Sequence, residues 1–242
     1  MIEENKKQSF NFQEGEVLLF NKPFEWTSFN LVNSVRHLIK YHTGIKKIKV
    51  GHAGTLDPLA TGLLIICTGK FTKKIDEYQG LEKEYTGTFT LGKTTPSFDL
   101  ETEINQSFPT NHITDSLIKE TAKTFIGEIE QTPPVFSAIK IDGKRAYLYA
   151  RKKEEVVIKS KIVKISEFEI TAIEMPVINF RVVCSKGTYI RSLANDFGMK
   201  IESGAYLSSL TRTRIGNFKQ ENSFEINDFK ETLIKLKNNP FS

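Results

Sequence analysis

The chain of 242 residues is poor in cysteine, with two, and in tryptophan, with one. Two cysteines are too few for a disulfide framework. Because Cys67 and Cys184 each stand in an apolar, strand-like run, we expect buried free thiols in a reducing cytoplasm. No cysteine or histidine pair has metal-ligand spacing, so no metal site is predicted. The longest apolar run, from Leu63 to Cys67, is far shorter than the roughly 18 residues that a membrane helix needs. The polar N-terminus also lacks the apolar stretch of a signal peptide, so we expect a cytoplasmic protein without a membrane segment.

Charge is unevenly distributed along the chain. Lysine and arginine number 34 against 29 aspartate and glutamate, a net charge of +5. Residues 36–74 carry eight basic residues and one acid, and residues 135–161 carry eight basic residues and three acids. These two blocks therefore contribute +7 and +5, and the rest of the chain contributes −7. Clustered positive charge of this kind is typical of a surface that binds a polyanion.

The apolar spacing and turn residues predict a mixture of helices and strands. Thr27 is a predicted helix N-cap and Gly44 the predicted stop of that helix, whereas the glycine-rich residues 51–62 read as a loop. Hairpin and meander signals outnumber strict strand–helix–strand units, which favours an α+β fold with a mixed, largely antiparallel sheet flanked by helices. We expect a flexible N-terminal tail over residues 1–13 and a single domain over 14–242.

The segment from Gly51 to Gly62 is the strongest candidate for chemistry. It does not match a phosphate-binding loop, which needs Gly-Lys-Ser/Thr after its first glycine at fixed spacing. Asp57 is the only acid in residues 36–74, so the surrounding cations should lower its pKa and keep it ionised. An ionised carboxylate is a usable nucleophile. The alternative is that Asp57 only stabilises a turn, as an aspartate before proline often does.

Six blocks, in order along the chain, resemble the TruB family of pseudouridine synthases. They include the opening strand with its Lys-Pro turn, the loop around Asp57, a Lys-x-Tyr motif and a Gly-Thr-Tyr-Ile-Arg motif; the blocks span residues 17–23, 51–62, 83–85, 136–147, 184–191 and 204–212. The family's Thr-Asp-Thr stretch appears at residues 94–99 without its first aspartate, so we assign that segment no role.

The resemblance implies a fold and a reaction. The fold would be that of the pseudouridine synthases, with an RNA-binding hairpin and helix inserted at about residues 129–161. The enzyme would isomerise uridine 55 in the T-loop of tRNA to pseudouridine, acting on a flipped-out nucleotide and without a cofactor. Many relatives carry a C-terminal PUA domain; because this chain ends at Ser242, we expect none here. The implied partner is the tRNA T-stem-loop, and we expect a monomer.

The resemblance also implies three catalytic residues. Asp57 would be the nucleophile, whether it attacks the ribose directly or assists a glycal-type path. Arg191 would pair with Asp57 and keep it ionised and oriented. Tyr85 would stack on the flipped base and handle a proton, although a strand tyrosine is more often a core residue.

Further residues would bind the substrate. Tyr189 would share the base pocket with Tyr85, Leu210 would pack against the nucleotide unless it is an ordinary core leucine, and His52 would wedge into the space that the base leaves. Phosphate contacts are predicted for basic residues near these motifs, namely Lys22, Lys140, Lys144, Arg145 and Arg151.

Two other functions remain open from the residues alone. The first is a non-catalytic module that binds or folds tRNA, which would need neither Asp57 nor Arg191. The second is a glycosidase, which would need a pair of carboxylates flanking the sugar bond; the loop around Asp57 supplies only one.

Overall fold

The computed structural model describes residues 9–238 apart from Ala138, Asp142, Lys153 and Glu155. The side chains at positions 140, 141, 147, 150 and 151 also lie outside the description. The chain divides into two compact units: the first comprises the chain up to Leu81 together with residues from Arg212 onward, and the second comprises Glu82–Thr211. Within the described residues, no helix is both long and apolar enough to cross a membrane.

Helices and strands are interspersed along the described chain. In chain order they are β1 (Val17–Lys22), α1 (Ser28–Thr43), β2 (Val50–Ala53), β3 (Ala60–Thr68), a 3₁₀ helix (Gly69–Lys74), α2 (Ile75–Gly80), β4 (Lys83–Leu91), β5 (Lys93–Thr94), β6 (Gln106–Ser107), α3 (Asp115–Lys123), β7 (Gly127–Gln131), β8 (Lys140–Ile141), β9 (Lys144–Arg145), α4 (Ala146–Arg151), β10 (Lys161–Glu174), β11 (Val177–Cys184), α5 (Ile190–Lys200), β12 (Ala205–Ile215), β13 (Phe218–Lys219), a second 3₁₀ helix (Gln220–Asn222) and α6 (Ile226–Asn238).

Helix α1 has both of the boundaries that its sequence predicts. The Thr27 hydroxyl oxygen accepts a hydrogen bond from the Asn30 backbone N–H at 3.0 Å, and the Asn30 side chain accepts one from the Thr27 N–H at 2.9 Å. This reciprocal pair satisfies two backbone donors that the helix leaves open at its start. At the other end Gly44 adopts φ 74° and donates to the Lys40 carbonyl at 3.1 Å. Glycine is favoured there because it has no Cβ to oppose the left-handed conformation.

Strand β3 is the centre of the first unit. It pairs with β1 and β2, both antiparallel, and lies next to β12. Leu64 and Ile66 are buried in a cluster with residues of α1 and α6, whereas Leu63 and Ile65 are buried in a second cluster with Ile215. Burial on both faces explains why the strand is a continuous apolar run rather than an alternating one.

The predicted loop over residues 51–62 is wrong at both ends. Gly51 and His52 belong to β2 and pair with Cys67 and Ile66, and β3 begins at Ala60. Only residues 54–59 lie between the two strands. The backbone hydrogen bonds of the pairing outweigh the local turn preference of the glycines.

The predicted flexible tail is also too long. Phe12 is 3% exposed and stacks on Phe10, with ring centroids 5.1 Å apart. Phe12 also meets the ring of Phe229 in α6 edge-on at 6.3 Å. Phe10 and Phe12 of the predicted tail are therefore packed against the core, and residues 1–8 lie outside the described part of the chain.

The second unit is built on the antiparallel strands β4, β11, β10 and β7, in that order, with β12 beside β4. Its core contains a cluster of aromatic rings with neighbouring centroids 4.3–6.3 Å apart, contributed by Phe89, Phe125, Phe168, Phe180 and Phe197. The predicted hairpin in this unit is present, since β8 and β9 pair Lys140 with Arg145. The predicted α+β class with a largely antiparallel sheet is confirmed.

Candidate active site

The loop that carries Asp57 joins β2 to β3 and is fastened to the first residue of α1. The Ser28 hydroxyl donates to the Leu56 carbonyl at 3.1 Å and accepts from the Leu56 N–H at 2.9 Å, and both residues are buried. The Asp57 carbonyl accepts from the Ala60 N–H at 3.1 Å, which closes the turn into β3. Asp57 itself is half-buried. Its backbone is therefore fixed on both sides while part of the residue stays accessible.

Lys22 is a buried residue that donates a hydrogen bond to the same loop. Its side chain is fully buried, and its ammonium donates to the carbonyls of Pro23 at 2.8 Å, Trp26 at 2.5 Å and Pro58 at 3.3 Å. Burial lowers the pKa of Lys22 to about 8; the charge of Asp57 opposes this change and the charge of Arg212 adds to it. The prediction that Lys22 contacts RNA phosphate is wrong, because Lys22 has no exposed surface and all three donors of its ammonium are used by backbone carbonyls.

Arg212 holds the other side of the loop, although no role for its guanidinium is predicted from the sequence. It is 1% exposed; its Nε donates to the Leu63 carbonyl at 2.7 Å and its Nη2 to the Gly54 carbonyl at 3.0 Å. It thus joins the end of β2 to the beginning of β3. The backbone approach is close, since a Cβ added to Gly62 would lie 2.4 Å from the Arg212 carbonyl oxygen. The available sequence signal was an arginine at the end of the last family block, residues 204–212.

His52 lies in β2, opposite Ile66 and five residues before Asp57. It is half-buried, and among the described residues its Nδ1 has no hydrogen-bond partner. Burial lowers the pKa of His52, and the charge of Arg212 lowers it further. A neutral, flat ring with one unused nitrogen is suited to stacking on a base, so the predicted wedge role remains a prediction.

Arg191 lies in the first turn of α5, in the second unit, and is 4% exposed. Its Nη1 lies 3.4 Å from Oδ2 of Asp99, and its Nη2 donates to the Phe136 carbonyl at 2.9 Å. A third contact, from Nη1 to the Ser97 carbonyl, measures 3.4 Å. The predicted pairing of Arg191 with Asp57 remains a prediction.

Asp99 is a site residue that the sequence reasoning missed. It is 5% exposed, its carbonyl accepts from the Thr95 hydroxyl at 2.6 Å, and its Oδ1 accepts from the Glu101 N–H at 3.0 Å. These contacts hold the carboxylate against the guanidinium of Arg191. The segment at residues 94–99, to which we assigned no role, therefore orients Arg191. An acid in an irregular stretch rich in threonine, serine and proline was the only signal.

Tyr189 immediately precedes α5 and is held by a buried glutamine. The Gln131 side chain donates from Nε2 to the Tyr189 carbonyl at 3.1 Å and accepts at Oε1 from the Tyr189 N–H at 2.8 Å. Gln131 has no exposed surface, whereas Tyr189 is half-buried and has the ammonium of Lys161 4.8 Å from its ring centroid. Gln131 connects the end of β7, where the predicted insertion begins, to the start of the arginine-bearing helix.

Tyr85 and Leu210 stand on strands of the same unit. Tyr85 is 8% exposed on β4 and pairs with Val182 of β11. Leu210 is half-buried on β12. Their predicted assembly with Tyr189 into a base pocket remains a prediction.

Basic residues form two accessible groups. Lys144 and Arg145 are exposed on β9, whereas the side chains of Lys140 and Arg151 lie outside the described part of the structure. In the first unit four lysines line one surface groove, which we call the lysine groove: Lys47, Lys49, Lys70 and Lys73. Lys70 forms an exposed ion pair with Glu14 at 2.6 Å, so three of the four charges are available without breaking this contact.

A sequence model of the N-terminal domain of TruB family pseudouridylate synthases matches residues 40–190. The chain belongs to the TruB family of pseudouridylate synthases. It is 60% identical over 223 residues to the tRNA pseudouridine synthase B of Flavobacterium johnsoniae, covering 92% of this chain and 97% of that one. It is 58% identical to the enzyme of the same name from Phocaeicola vulgatus, covering 92% and 95% of the two chains. The family resemblance of the six sequence blocks is thereby confirmed.

A solved structure supports the same TruB family fold. A chain in the crystal structure of a Cbf5–Nop10–Gar1 complex superposes with a TM-score of 0.71 at 29% identity, over 96% of this chain. The alignment covers 58% of that longer chain. A second neighbour, from a structure of an H/ACA ribonucleoprotein bound to a substrate RNA containing 2′-deoxyuridine, has a TM-score of 0.67 at 27% identity.

Proposed function

We propose that this protein is a tRNA pseudouridine synthase that isomerises uridine 55 in the T-loop of tRNA. The observation that carries the proposal is the 60% identity to a protein named tRNA pseudouridine synthase B, over 92% of this chain and 97% of that protein. A relation over nearly the whole chain includes every block in which the candidate site residues stand. The competing reading, a tRNA-binding module without catalysis, accounts less well for Asp57 and Arg191.

The proposed reaction rearranges one nucleoside. The bond between N1 of the base and C1′ of the ribose breaks, the base rotates, and a bond forms between C5 and C1′. The hydrogen lost from C5 is balanced by the one taken up at N1, so substrate and product have the same atoms and no cofactor is consumed. Asp57 is the proposed nucleophile, since an ionised carboxylate is able to attack the ribose carbon or to assist loss of the base.

The anchoring of the Asp57 loop supports that role. Ser28, Lys22 and Arg212 hold the backbone on either side of Asp57 through hydrogen bonds of 2.9–3.3 Å. A nucleophile held by a rigid scaffold avoids the cost of ordering during the reaction. The charge of Asp57 also raises the pKa of the buried Lys22 ammonium, because the two charges attract each other.

Arg191 is proposed to orient Asp57 and to stabilise its charge. The support is its own rigid setting, because Asp99 and the Phe136 carbonyl fix the guanidinium at the start of α5. Arginine keeps its charge at all relevant pH values, so it suits a permanent counter-ion.

The target base must leave the loop before it can react. Extrusion of a stacked base costs about a few kcal/mol, which stacking in a pocket can offset. Tyr85, Tyr189 and Leu210 are the proposed pocket residues, Tyr85 is the proposed proton carrier, and His52 is the proposed wedge in the vacated space. Lys144, Arg145 and the lysine groove supply positive charge for the RNA backbone, and Lys140 and Arg151 are proposed to do the same. The enzyme would act as a cytoplasmic monomer on the T-stem-loop.

The test is the substitution Asp57→Asn, assayed on a T-stem-loop transcript. We expect no pseudouridine, detected by carbodiimide adduct formation and primer extension, while the dissociation constant for the RNA stays within about threefold of wild type. Asp76→Asn is the matched control, since Asp76 is an exposed acid in α2 of the same unit. Pseudouridine at the wild-type rate from Asp57→Asn, or none from the wild-type protein, would refute the proposal.

A further inference from the structure

Two phenylalanines are exposed to solvent in the segment between β1 and the first turn of α1. Phe24 is 56% exposed and Phe29 is 62% exposed. Between them, Trp26 is half-buried and packs against the core cluster of α1 and α6. The segment is therefore anchored by its central ring while the two outer rings lie in water. We call residues 24–29 the aromatic segment.

The aromatic segment is attached directly to the Asp57 loop. The Glu25 N–H donates to the Pro58 carbonyl at 2.9 Å, and the Ser28 hydroxyl bonds both backbone groups of Leu56. The ammonium of Lys22 bridges the two segments, because it donates to the carbonyls of both Trp26 and Pro58. The residues on either side of Asp57 are thus joined to the stretch that presents the two rings.

The backbone of the segment is held in an uncommon conformation. Glu25 has φ 64°, in the left-handed region that residues with a Cβ seldom adopt. Conformations of this kind persist only where surrounding contacts maintain them, and they are concentrated at functional sites. Here the bond from Glu25 to Pro58 is such a contact, and the turn at Glu25 directly follows Phe24.

We propose that Phe24 and Phe29 form a stacking platform for unpaired bases of the RNA substrate beside the reacting nucleotide. The proposal rests on the proposed function, because the occupant is inferred from the attachment to the loop of Asp57. An aromatic ring accepts any base by its face, so the platform binds single-stranded RNA without reading its sequence. The loop nucleotides that flank an extruded base lose their stacking partner, and exposed phenylalanine rings replace it.

The experiment compares side chains that keep or lose the flat ring. Phe24→Ala and Phe29→Ala are measured with Phe24→Trp, Phe29→Trp, Phe24→Leu and Phe29→Leu, using the dissociation constant for the T-stem-loop transcript and the KM and kcat of its modification. Each alanine should weaken binding and raise KM by roughly five- to 100-fold, since removing a stacked aromatic ring has that effect, with kcat within threefold of wild type. Tryptophan should restore affinity and leucine should not.

The control is Tyr41→Ala. Tyr41 is 69% exposed on the same helix, twelve residues beyond Phe29, which places it about 18 Å further along α1. It should leave affinity and KM unchanged. A double alanine variant with wild-type affinity, or leucine variants as good as tryptophan, would overturn the proposal.

Two other results would point elsewhere. If sedimentation shows a wild-type dimer that the double alanine variant dissociates while RNA affinity is unchanged, the rings form a contact between copies and the proposal is wrong. If the wild-type protein binds the transcript but forms no pseudouridine, the proposed function fails, whereas the stacking platform is still judged by the binding constants alone.

Discussion

The destabilisation caused by the buried ammonium of Lys22 should become smaller as pH rises between about 8 and 10.5. Burial lowers the pKa of Lys22 from 10.5 to about 8, so in this range the unfolded chain binds a proton at this position that the folded chain has released. Stability rises with pH wherever the unfolded state binds more protons. With 1.36 kcal/mol for each pKa unit, the unfavourable contribution is about 3 kcal/mol at pH 7 and about 1 kcal/mol at pH 10.

Lys22→Met isolates this contribution. The variant loses the hydrogen bonds of the ammonium at every pH, but it also loses the titration. The free energy of unfolding of wild type minus that of the variant should therefore rise by about 2 kcal/mol between pH 7 and pH 10. Urea unfolding at the two pH values measures it. The thiols of Cys67 and Cys184, whose pKa values burial raises to about 11 and about 12, destabilise both proteins at alkaline pH and cancel in the difference.

A direct titration makes the reasoning independent of the variant's folding. NMR of the labelled Lys22 side chain should give a pKa near 8 in the wild-type protein, and a lower value in Asp57→Asn, because the carboxylate opposes the effect of burial. A pKa near 10.5, or a stability difference that is flat between pH 7 and pH 10, would show that the ammonium remains hydrated. The description of Lys22 as a buried support of the loop would then be wrong.

Three further predictions concern packing, positioning and charge. Gly62→Ala should lower the free energy of unfolding by about 3 kcal/mol, because Gly62 has φ 102° and the added Cβ would lie 2.4 Å from a backbone oxygen. Gly44→Ala is the control, since Gly44 has φ 74° but open space around it, and it should cost about 1 kcal/mol. Equal losses in urea unfolding would contradict this explanation. Gln131→Leu should cost about 1–3 kcal/mol and reduce kcat, because the Tyr189 N–H loses its acceptor while the Tyr189 carbonyl keeps only the Leu193 N–H. An unchanged kcat would remove Gln131 from the positioning residues. RNA affinity should fall steeply as the salt concentration rises. Alanine in place of Lys47, Lys49 or Lys73 should each reduce the slope of log affinity against log salt by about 0.7–0.9, and an unchanged slope would show that the lysine groove does not contact phosphate.

The sequence predicts those helices and strands whose ends or burial are determined by residues close together in the chain. The ends of α1 at Thr27 and Gly44 are predictable because the capping hydrogen bonds are made within four residues along the chain. The apolar run of β3 was likewise recognisable, since a strand buried on both faces contains few polar residues. Strand β2 was missed because its stability comes from pairing with residues about fifteen positions away, which glycine-rich composition does not reveal.

The site divides in the same way. The position of Asp57 followed from its motif, but the residues that hold the loop and its proposed counter-ion did not. Lys22, Arg212, Asp99 and Gln131 are polar residues whose partners are distant in sequence or are carbonyl groups, and a carbonyl has no sequence signature. Lys22 is an example: its place near a motif predicts a phosphate contact, whereas in the structure its ammonium donates to backbone carbonyls.

The use of buried cations, rather than neutral donors, around the Asp57 loop has a consequence for activity. A serine or an amide could satisfy the carbonyls of Pro58 and Gly54 with less desolvation, as Ser28 does for Leu56. A lysine adds a charge that attracts the Asp57 carboxylate, and in a site partly shielded from water this attraction is stronger than at the surface. The same burial that destabilises the charged Lys22 thus strengthens its effect on the proposed nucleophile. The contribution of Lys22 to stability and the activity of the enzyme should therefore change in opposite directions as pH rises through 8. Deprotonation removes the cost of burying the charge, and it also removes the charge that attracts Asp57.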